Sequence, residues 1–364
     1  MVDATPFTLR WGIISTGKIA SVFVSVKFLI THDASRGVND VIHTVVAVGS
    51  RNVLTAQEFI NAKAGGEKSI KAYGSYDEVF ADPVIYIGTP HTYHYENALA
   101  AIKARKHVLV EKPATTNAAE FRSLIQAANE YGVFIMEAMW TRFLPISLAI
   151  KKIAESGILG NPIVLHADLS ADFGIDNLPL THRIIDPKLG GGGLLDLGPY
   201  PFVWAIMAIY EHPSNISSRP VTISSSMLKT PLTGVDANTS FTLTFPSSQA
   251  ILTTSINLNS SPFGCTIRYE RGSIIITPPI YCPKQFTVQY HNDAGKVVKE
   301  EKQVVEHVGG GWHFQADEVA RCVRDGRKES EIWTHGKTLL EMEVFDNVRH
   351  SGGYILPPGV EKVM

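Results

Sequence analysis

Apolar residues in the first part of the chain fall into short runs, and between these runs apolar positions recur at helical spacing. The short apolar runs predict strands, and the segments between them predict helices. The predicted strands are residues 8–14, 43–48, 71–73, 84–88, 107–110 and 133–136, and the predicted helices are residues 19–30, 53–64, 95–105 and 117–131, with a polar loop at 31–40. Short apolar strands that alternate with helices are typical of a parallel sheet covered on both faces.

Beyond about residue 143 the pattern changes to β-rich segments divided by turn residues. The predicted strands here are residues 162–170, 221–228, 239–245, 250–258, 266–270, 273–277, 286–290 and 297–305, and the predicted helices are 144–156, 194–210, a segment around 316–323 and 337–349. Consecutive strands joined by turns favour an antiparallel sheet. The sequence therefore predicts an α/β domain, residues 1–143, followed by an α+β domain, residues 144–364, with an open, mainly antiparallel sheet.

Composition and charge narrow the classes of partner. With 45% hydrophobic and 19% charged residues, the 364-residue chain has the composition of a folded protein long enough for two domains. A net charge of −2 offers no basic field, so neither nucleic acid nor a membrane is expected as a partner. Three cysteines without metal-ligand spacing suit a reducing compartment. We therefore expect a cytoplasmic protein without a metal site.

A lysine follows the predicted strand 107–110 almost directly, in the run Glu111-Lys112-Pro113. Open α/β sheets bind ligands in the crevice beyond the carboxyl ends of their strands, and the proline stiffens the turn that carries the lysine. A cation in this place can hold a substrate hydroxyl or favour the anionic form of a neighbouring group. Lys112 is therefore a candidate catalytic residue, and Glu111 and Lys112 are candidate cofactor contacts. An exposed loop lysine is the alternative.

A glycine-containing turn lies between the first predicted strand and the first predicted helix, at residues 12–20. Its place and shape match the dinucleotide fingerprint, in which glycines let the backbone approach a pyrophosphate at a helix N-terminus. The match is imperfect, because Ser15 and Ala20 stand where the fingerprint has glycines. The predicted cofactor contacts in this turn are Gly12, Ser15, Thr16, Gly17, Lys18 and Ile19. A tight strand–helix turn without a ligand is the alternative.

The segments after the second and fourth strands bear on which dinucleotide binds. An NAD site usually places an acidic residue after the second strand to bind the ribose 2′-hydroxyl, whereas this chain has Ser50 and Arg51 there. Both side chains can donate to a 2′-phosphate, so the sequence favours NADP. Four residues after the fourth strand are predicted to face the cofactor: Thr89, Pro90, His91 and His94. The histidines have no acidic or cysteine partner near them in sequence, which argues against a metal.

Four consecutive glycines, residues 190–193, precede a predicted helix that carries Asp196 and Tyr200. These two side chains are spaced to share one face of the helix. The glycines permit a close approach of the backbone to a ligand or to the other domain. A lysine cation near a tyrosine favours the phenolate, so Tyr200 is a candidate acid/base group and Asp196 a candidate catalytic partner. A buried tyrosine and a helix-capping aspartate are the alternative.

Aromatic and polar residues near the predicted crevice between the domains are candidates for the substrate pocket. They are Trp140, Arg142, Phe143, Phe173, His182 and Arg183. Aromatic rings can stack on the C–H face of a sugar or on a flat hydrocarbon diol. The arginines and the histidine favour a polyhydroxyl substrate, although packing between domains would use the same residues.

Four of these runs together resemble the glucose–fructose oxidoreductase/inositol dehydrogenase family over nearly the whole chain: residues 12–20, 88–94, 111–120 and 190–200. Within the family, residues 72–80, residues 137–145 and Tyr200 resemble the branch of dimeric dihydrodiol dehydrogenases and NADP-dependent D-xylose 1-dehydrogenases. The resemblance implies an NADP-binding Rossmann domain, residues 1–143, and a substrate-binding and dimerisation domain, residues 144–364. It also implies hydride transfer, with Lys112 and Tyr200 as the acid/base pair.

We therefore expect an NADP-dependent oxidoreductase that oxidises an aldose, with D-xylose as the best guess, at C1 to the lactone. Two alternatives stay open: a trans-1,2-dihydrobenzenediol dehydrogenase, and a non-catalytic dinucleotide-sensing regulator of a kind known in the family. A regulator would have no reason to combine Lys112, Asp196 and Tyr200. A homodimer is expected, because the open face of a broad sheet tends to be covered by another subunit.

Overall fold

A computed structural model describes residues 5–25, 36–81 and 84–364 of the chain. The chain folds into two compact units. The first unit comprises Met1–Trp140, His307–Leu339 and Lys362–Met364, and the second comprises Thr141–Glu306 and Leu340–Glu361. These units differ from a division into residues 1–143 and 144–364, because two later segments of the chain return to the first unit.

The first unit contains a six-stranded parallel sheet. Its strands are β1 (Phe7–Ile14), β2 (Val41–Gly49), β3 (Lys71–Tyr73), β4 (Val84–Ile87), β5 (His107–Glu111) and β6 (Ile135–Ala138). Their spatial order is β3-β2-β1-β4-β5-β6, which is the order of a Rossmann fold. The predicted α/β domain is confirmed, and the strand order places the ligand-binding crevice at the carboxyl ends of β1 and β4.

The helices follow the sequence pattern closely. They are α1 (Lys18–Val24), α2 (Val53–Lys63), α3 (His94–Lys103), α4 (Ala118–Tyr131), α5 (Pro145–Glu155), α6 (Gly193–Leu197), α7 (Pro199–Ala205), α8 (Trp312–Arg324) and α9 (His335–Ser351). Asn117 caps α4 by accepting the Glu120 N–H at 2.8 Å, and Gly132 ends that helix with φ of 71°. The end of the predicted helix 19–30 and the start of the predicted loop 31–40 lie outside the described residues.

The returning helix α8 is joined to the parallel sheet by a buried polar network. The Trp11 indole N–H donates to His43 Nδ1 at 3.1 Å, and His43 Nε2 lies 2.9 Å from Asp317 Oδ1. Arg36 lies 2.5 Å from the other oxygen of the Asp317 carboxylate. Burial raises the pKa of Asp317, but the hydrogen bond from His43 and the positive charge of Arg36 outweigh burial and lower it. The carboxylate is therefore held in its ionised form beneath β1 and β2.

The second unit is built on an eight-stranded sheet. Its strands are β7 (Pro162–Ser170), β8 (Thr222–Lys229), β9 (Asp236–Thr244), β10 (Gln249–Ser255), β11 (Cys265–Tyr269), β12 (Gly272–Ile276), β13 (Gln285–His291) and β14 (Val297–Val304). Their order is β14-β13-β12-β11-β7-β10-β9-β8, and β7 with β10 is the parallel pair among antiparallel neighbours. The expected mainly antiparallel sheet is confirmed.

The two faces of this sheet differ in exposure. Helices α6 and α7 pack against β7 and β10, where Leu165 and Leu252 are fully buried. On the other face lies an open depression of about 630 Å³. Its lining includes His166, Asp168, Ile251, Thr253, Leu258, Phe263, Thr266 and Arg268. Phe263 is 75% exposed and Leu258 is 50% exposed, so this face carries uncovered apolar surface.

Candidate active site

The turn between β1 and α1 brings residues 15–17 to the carboxyl end of the parallel sheet. The Ser15 N–H donates to the carbonyl of Gly49 at 3.1 Å, which joins the turn to the end of β2. Ser15 has φ of 92°, a left-handed conformation that glycine adopts with less strain. Its hydroxyl oxygen accepts the Gly17 N–H at 3.1 Å. Ser15 therefore adopts the backbone conformation expected of the missing glycine, and its own hydroxyl stabilises the turn through the hydrogen bond from Gly17.

Gly12, a predicted cofactor contact three residues before Ser15, lies within β1. A Cβ on this residue would be 2.6 Å from Val79 Cγ1 and 3.0 Å from Ile85 Cδ1. Atoms cannot approach so closely without displacing one another, so this glycine serves the packing of the strand.

The start of α1 carries the other predicted contacts. Gly17 is the N-cap of the helix, and Lys18 and Ile19 begin its first turn. The Thr16 hydroxyl lies 3.5 Å from the Ser50 hydroxyl, at the ends of β1 and β2. Backbone amides at a helix start together with these hydroxyls are donors suited to phosphate oxygens.

Ser50 and Arg51 follow β2 as the sequence places them. Ser50 is buried and its N–H donates to the carbonyl of Tyr73 at 3.2 Å, whereas Arg51 is exposed. Tyr76 lies within reach of the Arg51 charge: burial raises the pKa of Tyr76, and Arg51 opposes that rise. Tyr76 was not singled out from the sequence, because its place beside Arg51 depends on how β2 and the segment after β3 pack.

The turn after β4 is held by side chains from α3. Asn97 Nδ2 donates to Thr89 Oγ1 at 3.1 Å. Pro90 precedes a single 3-10 turn that begins at His91, and His91 is buried. Among the residues that the structure describes, no group of three or more histidine, cysteine or carboxylate side chains is arranged to hold a metal ion.

His94 connects two of the predicted cofactor-facing turns. Its Nε2 lies 2.8 Å from the carbonyl oxygen of Thr89, and its Nδ1 lies 2.8 Å from that of Pro113. Burial, with a smaller effect of His91, lowers the pKa of His94 to about 4. A neutral imidazole donates to one of the two carbonyls. The His94 side chain thus connects the turn after β4 to the turn that carries Lys112.

The Lys112 turn rests on two buried carboxyl groups, and the first is Glu111. Tyr86 donates its hydroxyl hydrogen to Glu111 Oε1 at 2.7 Å, and the Lys112 N–H lies 3.3 Å from Glu111 Oε2. Burial raises the pKa of Glu111 to about 7, although Tyr86 and Lys112 both oppose the rise. Burial therefore disfavours the negative charge on this carboxyl group, which lies directly beside the lysine.

The second buried carboxyl group is Glu137, which was not singled out from the sequence. Its Oε1 accepts the Ala114 N–H at 2.9 Å, and its Oε2 accepts from Trp333 Nε1 and Thr338 Oγ1, each at 2.9 Å. Burial raises the pKa of Glu137, and Lys112 is among the groups that oppose the rise. Glu137 thus ties the turn after Lys112 to the segment that returns from later in the chain.

Asp196 and Tyr200 lie in the second unit on one helical path. Gly198, between α6 and α7, has φ of −53° and ψ of −34°, so the helical backbone continues through it. Arg183 Nη1 lies 3.1 Å from Asp196 Oδ2, and the Tyr281 ring lies 5.6 Å from the Tyr200 ring between centroids. The structure thereby brings together Asp196 and Arg183, both predicted, and adds Tyr281, which lies too far along the chain from Tyr200 to be paired with it from sequence.

The run of four glycines at the start of α6, residues 190–193, approaches other atoms of its own unit closely. A Cβ on Gly191 would be 2.7 Å from the carbonyl oxygen of Ile184, and one on Gly192 would be 1.9 Å from Asp236 Oδ1. Gly192 also has φ of 112°. The sequence predicted a close approach to a ligand or to the other domain, and the described contacts are instead with Ile184 and the buried carboxyl group of Asp236.

The aromatic candidates for the substrate pocket are largely buried. Trp140 is 3% exposed and stacks on Trp312, with ring centroids 4.4 Å apart and planes at 19°. Phe143 is also buried, whereas Phe173 is half-buried and its N–H donates to the carbonyl of Ile256 at 3.1 Å. Phe173 is therefore the most exposed of these three residues.

The polar candidates divide in the same way. Arg142 is 4% exposed and its Nη2 lies 3.2 Å from Glu211, which also lies 2.7 Å from Lys151 Nζ. A buried charge needs such partners, so the structure assigns Arg142 to an internal ion-pair cluster of the second unit. His182 is half-buried, and Arg183 is exposed apart from its contact with Asp196.

Comparison with known proteins gives consistent matches for both parts of the chain. Residues 9–139 match the sequence model described as "Oxidoreductase family, NAD-binding Rossmann fold", of the GFO/IDH/MocA group. Residues 147–275 match the GFO/IDH/MocA C-terminal domain.

Two kinds of relative match over nearly the whole chain. The D-xylose 1-dehydrogenase (NADP(+)) of Hypocrea jecorina is 34% identical over 98% of this chain and 95% of its own length. The trans-1,2-dihydrobenzene-1,2-diol dehydrogenase of Homo sapiens is 33% identical over 96% of this chain and 98% of its own. The identities are nearly equal, so they do not separate the two activities.

A solved structure shows the same fold at low identity. The aldose-aldose oxidoreductase of Caulobacter crescentus, complexed with glycerol, has a TM-score of 0.79 and 18% identity, with 95% of this chain and 98% of that chain covered.

Proposed function

Because the chain belongs to the GFO/IDH/MocA family of oxidoreductases, we propose that it is an NADP-dependent dehydrogenase that oxidises an aldose, with D-xylose as the first candidate, at C1 to the lactone. The observation that carries the choice of an aldose is the Arg183–Asp196 pair, one helical turn from Tyr200. A charged donor and a carboxylate together can bind neighbouring hydroxyls of a sugar.

The described residues fit the cofactor. Donors at the start of α1 suit a pyrophosphate, and the exposed Arg51 with no acidic neighbour after β2 suits a 2′-phosphate. The name of the Hypocrea jecorina relative also includes NADP(+). When bound, NADP supplies the hydride acceptor.

The remaining chemistry falls to three side chains. Oxidation of a hydroxyl requires its proton to leave as the hydride departs, and Tyr200 is the proposed proton acceptor. Lys112 holds the substrate hydroxyl and stabilises the phenolate by its charge. Asp196, in its ion pair with Arg183, orients the sugar or the lysine.

A panel of substrates tests this proposal. We expect NADP reduction with D-xylose, and slower reduction with D-glucose, because the Arg183–Asp196 pair can bind neighbouring hydroxyls of a compact polyol. The Tyr200–Tyr281 ring pair favours the second candidate, an aromatic trans-dihydrodiol. Turnover of that diol without turnover of any aldose would replace the proposal. NADPH binding without either reaction would support a non-catalytic sensor.

Arg51→Ala is expected to weaken NADP binding far more than NAD binding. A charge-assisted hydrogen bond contributes about 1.5–3 kcal/mol, which corresponds to roughly ten- to a hundredfold in affinity. Titration of both reduced cofactors by fluorescence measures the change. Asn52→Ala is the matched control, since Asn52 caps α2 by accepting the Leu54 N–H at 2.7 Å and carries no charge. Equal catalytic efficiency with NAD and NADP in the unaltered protein would contradict the assignment.

We also propose that the chain forms a homodimer through the open face of the eight-stranded sheet. The exposed Phe263 and Leu258 on that face support this, because apolar patches of this kind commonly mark interfaces. Sedimentation at micromolar concentration is expected to give twice the chain mass, and Phe263→Asp is expected to lower it. Leu180→Asp, at a 58% exposed leucine in the segment between β7 and α6, is the control. A monomer at every concentration would refute the proposal.

A further inference from the structure

Asp236 is a fully buried carboxyl group at the start of β9, directly beneath the glycines that precede α6. Its Oδ2 accepts the Leu194 N–H at 2.7 Å and the Thr239 hydroxyl at 2.9 Å. Leu194 is the second residue of α6, so the acceptor lies at the first turn of the helical path that carries Asp196 and Tyr200.

From this arrangement we propose that Asp236 is a positioning residue that fixes the helical segment of Asp196 and Tyr200 for the reaction. The inference rests on the proposed function for its catalytic consequence, but its structural part stands on the contacts of Asp236 alone.

The second oxygen of Asp236 sets the path of the backbone before the helix. A Cβ on Gly192 would be 1.9 Å from Oδ1, so the chain passes over the carboxyl group at a distance that glycine alone allows. Gly192 has φ of 112°, which an L side chain rarely adopts. The absence of a side chain at Gly192 thus leaves the space that the Asp236 carboxyl group occupies.

A second buried hydrogen bond holds the same glycine segment from another side. The Tyr354 hydroxyl donates to the carbonyl oxygen of Gly191 at 2.7 Å, and Tyr354 is 4% exposed. The backbone of Gly191–Leu194 is therefore held at its carbonyl by Tyr354 and at its amide by Asp236. Rotation or translation of α6 breaks one of these contacts.

The contacts indicate that Asp236 holds the segment by accepting hydrogen bonds at its Oδ2 atom, which does not require a negative charge. Burial raises the pKa of Asp236 to about 7, against the hydrogen bond from Leu194, so burial disfavours the negative charge. An asparagine can place its carbonyl oxygen at the same point and accept both hydrogen bonds. Alanine leaves the Leu194 N–H without that acceptor.

The experiment compares Asp236→Ala, Asp236→Asn and the control Thr239→Val. We expect kcat to fall about ten- to a hundredfold in the alanine variant, because small displacements of a catalytic group are costly to rate. NADPH affinity and KM are expected to change less than about threefold, and the asparagine variant is expected to regain most of kcat. Thr239→Val removes the second hydrogen bond and leaves the Leu194 contact, so its kcat is expected to stay near that of the unaltered protein.

Hydrogen exchange measured by mass spectrometry supplies a readout that does not depend on turnover. Amides of residues 190–200 are expected to exchange faster in Asp236→Ala, at unchanged rates elsewhere, and at the original rate in Asp236→Asn. A kcat within threefold of the original in Asp236→Ala, an equal loss in Asp236→Asn, or exchange that rises throughout the chain would overturn the proposal. If the unaltered protein oxidises neither sugars nor diols, the proposed function fails, and the exchange result still decides the role of Asp236.

Discussion

Tyr200→Phe is expected to lower turnover by about 10²–10⁴-fold while NADPH binding stays unchanged, because positioned acid–base groups contribute on that order to rate. The substitution removes the phenolic hydroxyl, which is the proposed proton acceptor, and keeps the ring that faces Tyr281. Packing is therefore conserved. Turnover of the accepted substrate and fluorescence titration with NADPH measure the two quantities in the same preparation.

Tyr281→Phe is the matched control for this substitution. Its ring lies beside that of Tyr200, with centroids 5.6 Å apart, and Tyr281 is 37% exposed. A small effect at Tyr281 together with a large effect at Tyr200 would assign the proton transfer to one of two neighbouring phenols. Near-normal turnover in Tyr200→Phe would instead point to Lys112 alone or to His182 as the proton acceptor.

Lys112→Met is expected to be at least as damaging as the loss of the Tyr200 hydroxyl. Methionine keeps much of the length of the side chain but removes the charge proposed to stabilise the phenolate and the donor proposed to hold the substrate hydroxyl. It also removes the cation that opposes the rise in pKa of Glu111 and Glu137. Steady-state turnover measures the loss, and NADPH titration shows whether cofactor binding survives.

Lys106→Met provides a control at the opposite end of the same strand, since Lys106 directly precedes β5 and Lys112 directly follows it. We expect this variant to keep turnover within about twofold, because surface substitutions of this kind have small effects. A Lys112→Met protein that binds NADPH and turns over substrate at the original rate would remove the lysine from the mechanism.

Local features of the sequence predicted most of the first unit. Apolar runs such as that of β5 specify a strand buried on both faces, and Asn117 with Glu120 specifies a helix start, since both signals act within a few residues. The replacement of a fingerprint glycine by Ser15 was visible in the sequence. Its left-handed φ and its hydrogen bond to Gly17 were not, because these depend on the three-dimensional course of the turn.

The supporting carboxyl groups of the candidate site were beyond the reach of sequence patterns. Asp236 contacts Leu194 across 42 positions of the chain, and Glu137 contacts Trp333 across 196. Both carboxyl groups lie within strands, and the sequence around a single acidic residue does not indicate which distant residue it contacts. Four consecutive glycines predicted a close approach of the backbone to some other group. The structure identifies that group as the Asp236 carboxyl at the start of β9.

The return of His307–Leu339 to the first unit affects how the protein is made. On the ribosome, β1 and β2 emerge long before α8, and at about 5–20 residues per second the wait lasts roughly 13–55 s. Throughout that interval His43 lacks its Asp317 partner, and Glu137 lacks Trp333. We therefore expect nascent chains arrested after residue 143 to be cut readily by protease, and chains with residues 307–339 outside the exit tunnel to resist it. The first unit is thus expected to begin synthesis first and to complete its folding near the end of translation.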